Sequence, residues 1–204
     1  MKPRLAFLVT VPTTADVLLR GQLAYLGDHG FDVTVISSPG PELELVAQRE
    51  RVRTIAVPME RDIDVAADAV SLARVTRVLA GLRPDIVNAS TSKAGLLGMI
   101  AAAALRVPAR IYLLRGLRLE TERGAKRAVL GAAERVAVRC AHEIVCVSES
   151  LRSRFVESGF APADRCHVLG AGSSNGFELE RFAATEARRA EARRLRGELG
   201  IPGR

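Results

Sequence analysis

Short runs of valine, isoleucine and leucine alternate along this chain with segments of helical period. The runs that predict strands are residues 4–11, 32–37, 53–57, 85–87, 110–114, 143–147 and 166–169. The segments that predict helices are residues 16–29, 42–50, 65–82, 94–106, 125–140, 150–157 and 185–199. Near-continuous apolar strands that alternate with helices are typical of a parallel sheet covered on both faces. The pattern therefore predicts an α/β fold built on a doubly wound parallel sheet.

The formal charge of the 204-residue chain is +7, and its basic residues concentrate in two segments. Residues 110–139 contain eight arginines and lysines against three glutamates, and residues 188–196 contain five arginines. Such segments suit nucleic acid, anionic lipid or phosphate-bearing substrates. The chain has two tyrosines, six phenylalanines and no tryptophan. This scarcity of aromatic residues argues against base stacking, and so against nucleic acid as the partner.

The location of the chain is predicted from two features. No window holds 18 consecutive apolar residues, so we expect no transmembrane helix. The first residues enter a predicted strand without the apolar region and cleavage site of a signal peptide, which predicts a cytoplasmic chain. Three cysteines (Cys140, Cys146 and Cys166) are odd in number and lack metal-ligand spacing, which predicts buried, reduced thiols.

Several classes of enzyme are excluded by motifs that the sequence lacks. The loop at residues 10–14 after the first predicted strand is not glycine-rich, which argues against NAD or FAD binding. The chain also has no Walker A motif, no G-x-S-x-G elbow, no H-E-x-x-H helix and no cysteine–histidine cluster. We therefore expect neither a metal nor a cofactor.

Candidate ligand-binding residues follow four of the predicted strands. In a doubly wound sheet, ligands bind outside the carboxyl ends of the strands and against the N-termini of the following helices. The residues at such positions are Asn88, Ser90, Thr91 and Lys93; Arg115 and Gly116; Ser148; and Ser173 and Asn175. Cations and hydroxyls there suit an anionic or polyhydroxylated ligand, and Gly116 lets a ligand approach the backbone.

Each of these groups also has a purely structural interpretation. Residues 88–93 fit a polar helix N-cap followed by a solvated lysine, and Arg115 fits an ordinary surface arginine. Ser148 fits the N-cap of the following helix, and Asn175 with Gly176 fits a turn dipeptide. The residues by themselves leave these alternatives open.

In this order, the candidate segments resemble the N-terminal domain of family 4 glycosyltransferases, which have the two-domain GT-B architecture. The resemblance is closest to the bacterial branch that builds capsular polysaccharide and exopolysaccharide. It rests on residues 85–102, 110–121, the pair Glu134–Arg135, residues 144–152 and residues 168–182. Each segment is weak evidence, but five in register are specific, and together they cover nearly the whole chain.

The resemblance implies retaining transfer of a sugar from a nucleotide-diphospho-sugar to an acceptor, often a sugar on a polyprenyl diphosphate at the cytoplasmic membrane. The N-terminal, Rossmann-like domain holds the acceptor in that family, and the C-terminal domain binds the nucleotide without a metal. It implies that Lys93, Arg115 and Arg61 face acceptor phosphate or the cleft. Asn88, Ser90 and Thr91 would bind sugar hydroxyls. The basic helix over residues 124–139 would contact anionic lipid or remain a solvated face.

The sequence departs from the family pattern in the loop after its first strand. Where many relatives have a Gly-Gly loop that touches the donor phosphate, this chain has residues 10–13, so Thr13 is the implied contact there. Relatives often have histidines at the positions of Asn88 and Ser90, which puts in doubt a role as base for these two residues.

The expected domain organisation follows from the same resemblance. We expect residues 1–182 to form the acceptor-binding domain and residues 183–204 to form a charged helix and the start of an interdomain linker. On this expectation the chain alone is inactive, and a donor-binding domain acts in cis or in trans. The alternatives are a stand-alone binding and membrane-docking subunit of a split enzyme, and an unrelated Rossmann-like binding module.

Overall fold

The computed structural model describes residues 1–60, 62–173, 175 and 182–201. Within them, seven strands form one sheet in which every neighbouring pair is parallel. The strands are β1 (Arg4–Leu8), β2 (Asp32–Ser37), β3 (Arg53–Ala56), β4 (Ile86–Ser90), β5 (Ala109–Leu114), β6 (Glu143–Cys146) and β7 (Cys166–Val168). The predicted α/β fold with a doubly wound sheet is confirmed.

The strand order is β3-β2-β1-β4-β5-β6-β7, which places β1 beside β4. The chain extends the sheet from β1 in one direction and from β4 in the other, so the order reverses between these two strands. The crevice at such a reversal, outside the carboxyl ends of the strands, is where open parallel sheets bind ligands. The topology therefore predicts a site near Thr10 and Thr91, which follow β1 and β4.

Helices lie on both faces of this sheet. The described α-helices are α1 (Pro12–Leu18), α2 (Gln22–Asp28), α3 (Pro41–Glu50), α4 (Val65–Leu82), α5 (Ser92–Ala104), α6 (Gly124–Cys140), α7 (Glu149–Glu157) and α8 (Glu186–Glu198). One core cluster packs α1–α3 against β1 and β2 and includes Phe7 and Val46. A larger cluster packs α4–α7 against the other face and includes Leu79 and Ile144. Right-handed crossovers explain the division, because the chain winds toward β3 on one face and toward β7 on the other.

Two helices, α1 and α2, replace the single helix predicted over residues 16–29. The chain turns at Gly21, whose φ of 75° lies in the left-handed region that glycine adopts without strain. The carboxylate of Glu50 accepts hydrogen bonds from the N–H of Gly21 at 3.0 Å and from that of Ala24 at 3.2 Å. Burial opposes ionisation of Glu50, but the hydrogen bonds from Arg49 and from these N–H groups lower its pKa. The prediction was wrong here because the group that caps α2 lies on α3.

Strand β4 extends beyond the residues 85–87 predicted for it. Asn88 and Ser90, predicted to follow the strand, lie inside it. β4 forms backbone hydrogen bonds with β1 on one side and with β5 on the other. Pairing on both sides outweighs the low intrinsic strand preference of asparagine.

Helix α5 packs unusually close to the sheet through two glycines. A Cβ at Gly98 would lie 2.7 Å from Leu8 Cδ2 and 2.9 Å from Ala89 Cβ. A Cβ at Gly95 would overlap the ring of Tyr112, with Cδ2 at 3.0 Å. The ring is fully buried, and its hydroxyl donates to Glu134 of α6 at 2.9 Å. Because both glycines lie in its first two turns, the N-terminus of α5 is fixed over the carboxyl edge of the sheet.

β1 ends at Leu8, three residues before the end of the strand predicted over residues 4–11, whereas the last helix agrees with the sequence. Every described residue of α8 is exposed, as expected for the charged helix near residues 185–199. No helix within the described residues is both long and apolar enough to cross a bilayer. The three cysteines are free thiols, and Cys146 and Cys166 are buried as predicted, whereas Cys140 is partly exposed. Burial raises the pKa of Cys146 to about 11. A thiol with so high a pKa is inert at neutral pH.

Candidate functional site

Two threonines meet where the strand order reverses. Thr10 follows β1 and Thr91 follows β4, and their Oγ1 atoms are 2.6 Å apart. Thr10 Oγ1 also accepts a hydrogen bond from the N–H of Ala94 at 3.2 Å. Thr10 therefore satisfies one of the N–H groups in the first turn of α5, a role that the N-cap residue Thr91 does not fill with its own side chain.

Thr91 adopts a backbone conformation that is rare for its residue type. Its φ is 73°, and its ψ is 149°. A β-branched residue at positive φ is strained, because its branched Cβ crowds the backbone. Such strain costs on the order of 1–3 kcal/mol and clusters at functional sites. The distortion directs the chain from β4 into α5 beside the crevice.

Two cavities adjoin this junction and share the lining residues Thr91, Ser92 and Arg118. The first, of about 520 Å³, is lined in addition by Thr10, Val11, Thr14, Asp62 and Lys93. The second, of about 400 Å³, is lined in addition by residues 112–117. Both volumes are within the usual range for small-molecule sites. We call the two together the cationic crevice, because Lys93, Arg115 and Arg118 line it.

Lys93 lies in the cationic crevice, and its ammonium already has protein partners. Its side chain is 9 % exposed and forms an ion pair with Asp68 of α4 at 2.5 Å. It also donates to the backbone carbonyl of Asp62. An ammonium has three N–H donors, so one remains for a ligand. Lys93 therefore joins α5 to α4 and also lines the crevice.

Arg115 and Gly116 follow β5 and line the second cavity together. Burial lowers the pKa of the Arg115 guanidinium, which nevertheless stays protonated at neutral pH. The space where a side chain at Gly116 would lie is open, with no atom within 4 Å of its virtual Cβ. This open space leaves the backbone accessible to a ligand, as the sequence predicts.

Asn88 and Ser90 do not line the crevice with Thr91 and Lys93. They alternate with Val87 and Ala89 along β4, so they lie on the face of the sheet opposite to α5. Ser90 is buried, and the Oδ1 atom of Asn88 is buried with no hydrogen-bond partner in the described part of the chain. The predicted group is therefore divided between the crevice and the opposite face, and a role in binding hydroxyls stays a prediction for Asn88 and Ser90.

The structure gives a different result for each of three other residues predicted to bind substrate: Thr13, Ser148 and Arg61. Thr13 donates to Glu42 of α3 at 3.0 Å, and its neighbour Thr14 lines the crevice instead. Ser148 caps α7 by accepting from the N–H of Leu151 at 3.2 Å, which confirms the structural interpretation. Arg61 lies outside the described residues.

Ser173 and Asn175 line a third cavity of about 590 Å³ with Arg20, Gln22 and Tyr25. This cavity lies between the start of α2 and the loop after β7. Asn175 Nδ2 donates to the carbonyl oxygen of Val17 in α1 at 3.4 Å. The loop after β7 thus reaches α1, which follows β1 and so lies on the other half of the sheet.

Among the described residues, neither another cavity nor a metal cluster is a better candidate site than the carboxyl edge of the sheet. A larger cavity, of about 990 Å³, lies at the amino end of the strands beside Arg4, Asp32 and Asp85. There Arg4 and Asp85 are already paired at 3.6 Å, and ligands of open parallel sheets bind at the opposite end. Among the described residues, no three histidine, cysteine, aspartate or glutamate side chains are grouped as metal ligands.

Thr10, Arg118 and Asp68 are site residues that sequence reasoning missed. Thr10 was missed because the strand predicted over residues 4–11 includes it, whereas β1 ends at Leu8. Arg118 lies in a 3-10 helix (Arg118–Thr121) three residues after Arg115 and so returns to the same edge. Asp68 had no signal, because only the packing of α4 against α5 brings it to Lys93.

A family model described as the glycosyl transferase 4-like domain matches residues 14–172. The chain belongs to this family. The match runs from α1 to the start of the loop after β7, and it includes the crevice-lining residues that follow β4 and β5 but not Thr10. The resemblance to family 4 glycosyltransferases is therefore confirmed.

Two curated relatives are similar over most of the chain. The Staphylococcus aureus capsular polysaccharide biosynthesis glycosyltransferase CapM is 40 % identical over 182 residues, which cover 89 % of this chain and 47 % of CapM. An Escherichia coli UDP-Gal:alpha-D-GlcNAc-diphosphoundecaprenol alpha-1,3-galactosyltransferase is 28 % identical over 161 residues, which cover 78 % of this chain and 40 % of that enzyme. The chain thus spans about half the length of the curated relatives it matches, or less.

Solved structures support the GT-B fold. Anabaena Alr3699/HepE in complex with UDP-glucose has a TM-score of 0.68 at 20 % identity, covering 97 % of this chain and 50 % of that protein. A UDP-N-acetylglucosamine 2-epimerase from Rickettsia bellii has a TM-score of 0.66 at 14 % identity, covering 94 % and 52 %. Since a transferase-family domain and an epimerase share this fold, the fold alone does not select the reaction.

Proposed function

We propose that this chain binds the acceptor in retaining transfer of a sugar from a nucleotide-sugar during capsular polysaccharide or exopolysaccharide biosynthesis. The acceptor we infer is a sugar linked to a polyprenyl diphosphate. The similarity to CapM supports a role in capsular polysaccharide biosynthesis. The name of the E. coli relative specifies a diphosphoundecaprenol-linked acceptor for that enzyme. The observation that carries the proposal is the cationic crevice at the reversal of strand order.

The charges of the crevice favour a diphosphate. Lys93, Arg115 and Arg118 line the crevice, and the carboxylate of Asp68 lies against Lys93 at 2.5 Å, so the cations still outnumber the carboxylates. Asp62, the carboxylate among the described lining residues, is 93 % exposed and 3.6 Å from Arg118. Arginine guanidinium groups and the N-terminus of a helix both bind phosphate oxygens well. The crevice combines these groups with the hydroxyls of Thr10, Thr14 and Ser92.

The nucleotide-sugar would be bound mainly by a second domain, in cis or in trans. The crevice lies on an open edge of the sheet, and the matched region covers 47 % and 40 % of the two curated relatives. On this proposal the chain alone transfers no sugar, and no metal is needed because side chains and helix dipoles stabilise the leaving diphosphate. A split enzyme with this chain as its acceptor subunit is the alternative. Family membership argues against an unrelated module.

Lys93→Met is expected to weaken binding of geranyl diphosphate to this chain about tenfold or more, because it removes a charge-assisted hydrogen bond. Geranyl diphosphate is a soluble probe that contains the chemistry of a polyprenyl diphosphate. Isothermal titration calorimetry gives the dissociation constant, and geraniol serves as the probe without phosphate. The variant is also expected to melt at a lower temperature, because Asp68 loses its partner.

Asp68→Asn is the matched control for this experiment. It breaks the same ion pair but keeps the ammonium, so its binding of geranyl diphosphate should stay within a few-fold of the original. Equal weakening by both variants would show that Lys93 acts only by fixing α5 against α4. Unchanged binding in Lys93→Met would refute the assignment of Lys93 to the acceptor site.

We also propose that α6 contacts anionic lipid at the inner face of the cytoplasmic membrane. Its basic residues Lys126, Arg127, Arg135 and Arg139 are exposed, and so are Val129 and Val136. Its carboxylate, Glu134, is buried. An exposed helix surface with cations, small apolar side chains and no exposed carboxylate suits the interface of an anionic bilayer.

Charge reversal at Arg139 is expected to reduce vesicle binding about tenfold or more, at about 1 kcal/mol for each basic charge near the surface. The variant is Arg139→Glu, measured by co-flotation with phosphatidylglycerol-containing vesicles. Arg193→Glu on α8 is the control, because it changes the net charge equally on a helix of mixed charge. If both reversals reduced binding to the same extent, net charge rather than α6 would determine the contact.

A further inference from the structure

Tyr25 is an exposed aromatic residue in a chain with few aromatic residues. It is 59 % exposed, so the core does not explain its presence. His29 follows one turn later and stacks on its ring, with the centroids 3.8 Å apart. The His29 Nδ1 atom is 2.7 Å from the carbonyl oxygen of Tyr25, which holds the imidazole in place. The phenol ring is therefore fixed before any ligand binds, and it borders the 590 Å³ cavity.

Amide and hydroxyl side chains line the same cavity as this ring. Gln22 lies three residues before Tyr25 and so on the same side of α2. Ser173 and Asn175 line the cavity from the loop after β7. An amide group offers both donors and acceptors, and the Asn175 amide is held near α1 by its hydrogen bond to Val17.

The composition of this cavity differs from that of the cationic crevice. Its cation among the described lining residues is Arg20, which pairs with Asp16 at 3.5 Å. An aromatic ring in one cavity with the amide side chains of Gln22 and Asn175 is suited to a pyranose. The C–H groups on one face of a pyranose pack on the electron-rich face of the ring, and its hydroxyls pair with amides. The cavity offers a phosphate one arginine among its described lining residues, whereas three cations line the cationic crevice.

We propose that this cavity is a sugar subsite in which the Tyr25 ring packs against a pyranose of the acceptor. Thr14 lines the cationic crevice and Leu18 lines this cavity, and both belong to α1. Four helical residues span about 6 Å, so a single acceptor can reach both places. The inference rests on the proposed acceptor role and adds that the acceptor carries a sugar beyond the diphosphate-linked end, as an oligosaccharide does.

Saturation-transfer NMR on the whole chain tests the subsite. The probes are methyl α-D-glucopyranoside, methyl α-D-galactopyranoside and N-acetylglucosamine, titrated in the millimolar range. We expect saturation to be transferred from the protein to the ring C–H protons of at least one sugar. Tyr25→Ala should weaken that sugar's affinity about two- to tenfold, the usual value of an aromatic contact. Tyr25→Phe keeps the ring and should retain the affinity. Tyrosine fluorescence gives a second readout, because the other tyrosine, Tyr112, is buried.

The outcomes separate this subsite from the acceptor role of the crevice. Lys93→Met should leave sugar binding unchanged while it weakens geranyl diphosphate binding, and Tyr25→Ala should do the opposite. No transfer to any of the three sugars would overturn the subsite, and so would equal affinity in Tyr25→Ala. A loss in Tyr25→Phe as large as in Tyr25→Ala would overturn the stacking contact. Geranyl diphosphate binding would still report on the crevice in each case.

Discussion

Gly95→Ala is expected to destabilise the domain by about 2–3 kcal/mol, because the new methyl group overlaps a buried ring. The added Cβ would penetrate the ring of Tyr112, with Cδ2 at 3.0 Å. The ring has no room to retreat, since it is fully buried and its hydroxyl is bonded to Glu134. Alanine ordinarily stabilises a helix interior by about 1 kcal/mol relative to glycine. Here the overlap outweighs that gain. Thermal unfolding should show a fall in Tm of about 5–10 °C.

Gly81→Ala is the matched control for this prediction. Gly81 lies near the end of α4, and a Cβ there meets no atom within 4 Å. The same substitution should therefore stabilise the domain by about 0.5–1 kcal/mol. If the two substitutions change the free energy of unfolding in opposite directions, the close packing of α5, and not helix propensity, determines the effect of Gly95→Ala. A neutral Gly95→Ala would mean that α5 can move away from the sheet without cost.

Glu134→Gln is expected to stabilise the domain at pH 8 by about 3 kcal/mol and to leave its stability near pH 4.5 unchanged. Burial raises the pKa of Glu134 from its ordinary value of 4.5 to about 7, although the hydrogen bond from Tyr112 lowers it. Between these two pH values the unfolded chain has released the proton and the folded chain keeps it. Stability due to this group is therefore full below pH 4.5 and falls until about pH 7. Glutamine does not ionise, so it removes this loss.

The measurement is the free energy of unfolding by urea at a series of pH values, compared between the two proteins. Other groups titrate in the same range, and the difference between the curves removes their contributions. Tyr112→Phe is the control. It keeps the ring against Gly95 but removes the donor to the carboxylate, so the pH-dependent loss should extend to higher pH. If Glu134→Gln were less stable than the original at pH 8, the ionised carboxylate would be a required partner, which contradicts the prediction.

These two predictions also explain part of the family resemblance in physical terms. Gly95, Tyr112 and Glu134 lie in three different segments that carry the resemblance, and in the structure Tyr112 contacts both of the others. They position the N-terminus of α5 and do not themselves line a ligand cavity, apart from Tyr112 at the edge of the second one. A shared motif thus contains scaffold residues as well as ligand-binding residues.

The sequence predicted the site best where a residue follows its strand directly. Thr91 and Lys93 follow β4, Arg115 and Gly116 follow β5, and all four line the crevice. Prediction from the sequence failed where a side chain contacts a distant part of the chain. Glu50 divides the helix predicted over residues 16–29, because its carboxylate caps α2 from α3.

By itself, the sequence determined the alternation of strands and helices, the parallel sheet and the membership of the family. These follow from local periodicity and from motifs that are contiguous in the chain. Only the tertiary structure decided which candidate residues share a cavity. The register of β4 places Asn88 and Ser90 on the other face, and the packing of α4 gives Lys93 its partner. The loop after β7 lines one cavity with Tyr25. Contacts between segments that are distant in the chain depend on how the layers pack, and periodicity along one segment carries no information about that packing.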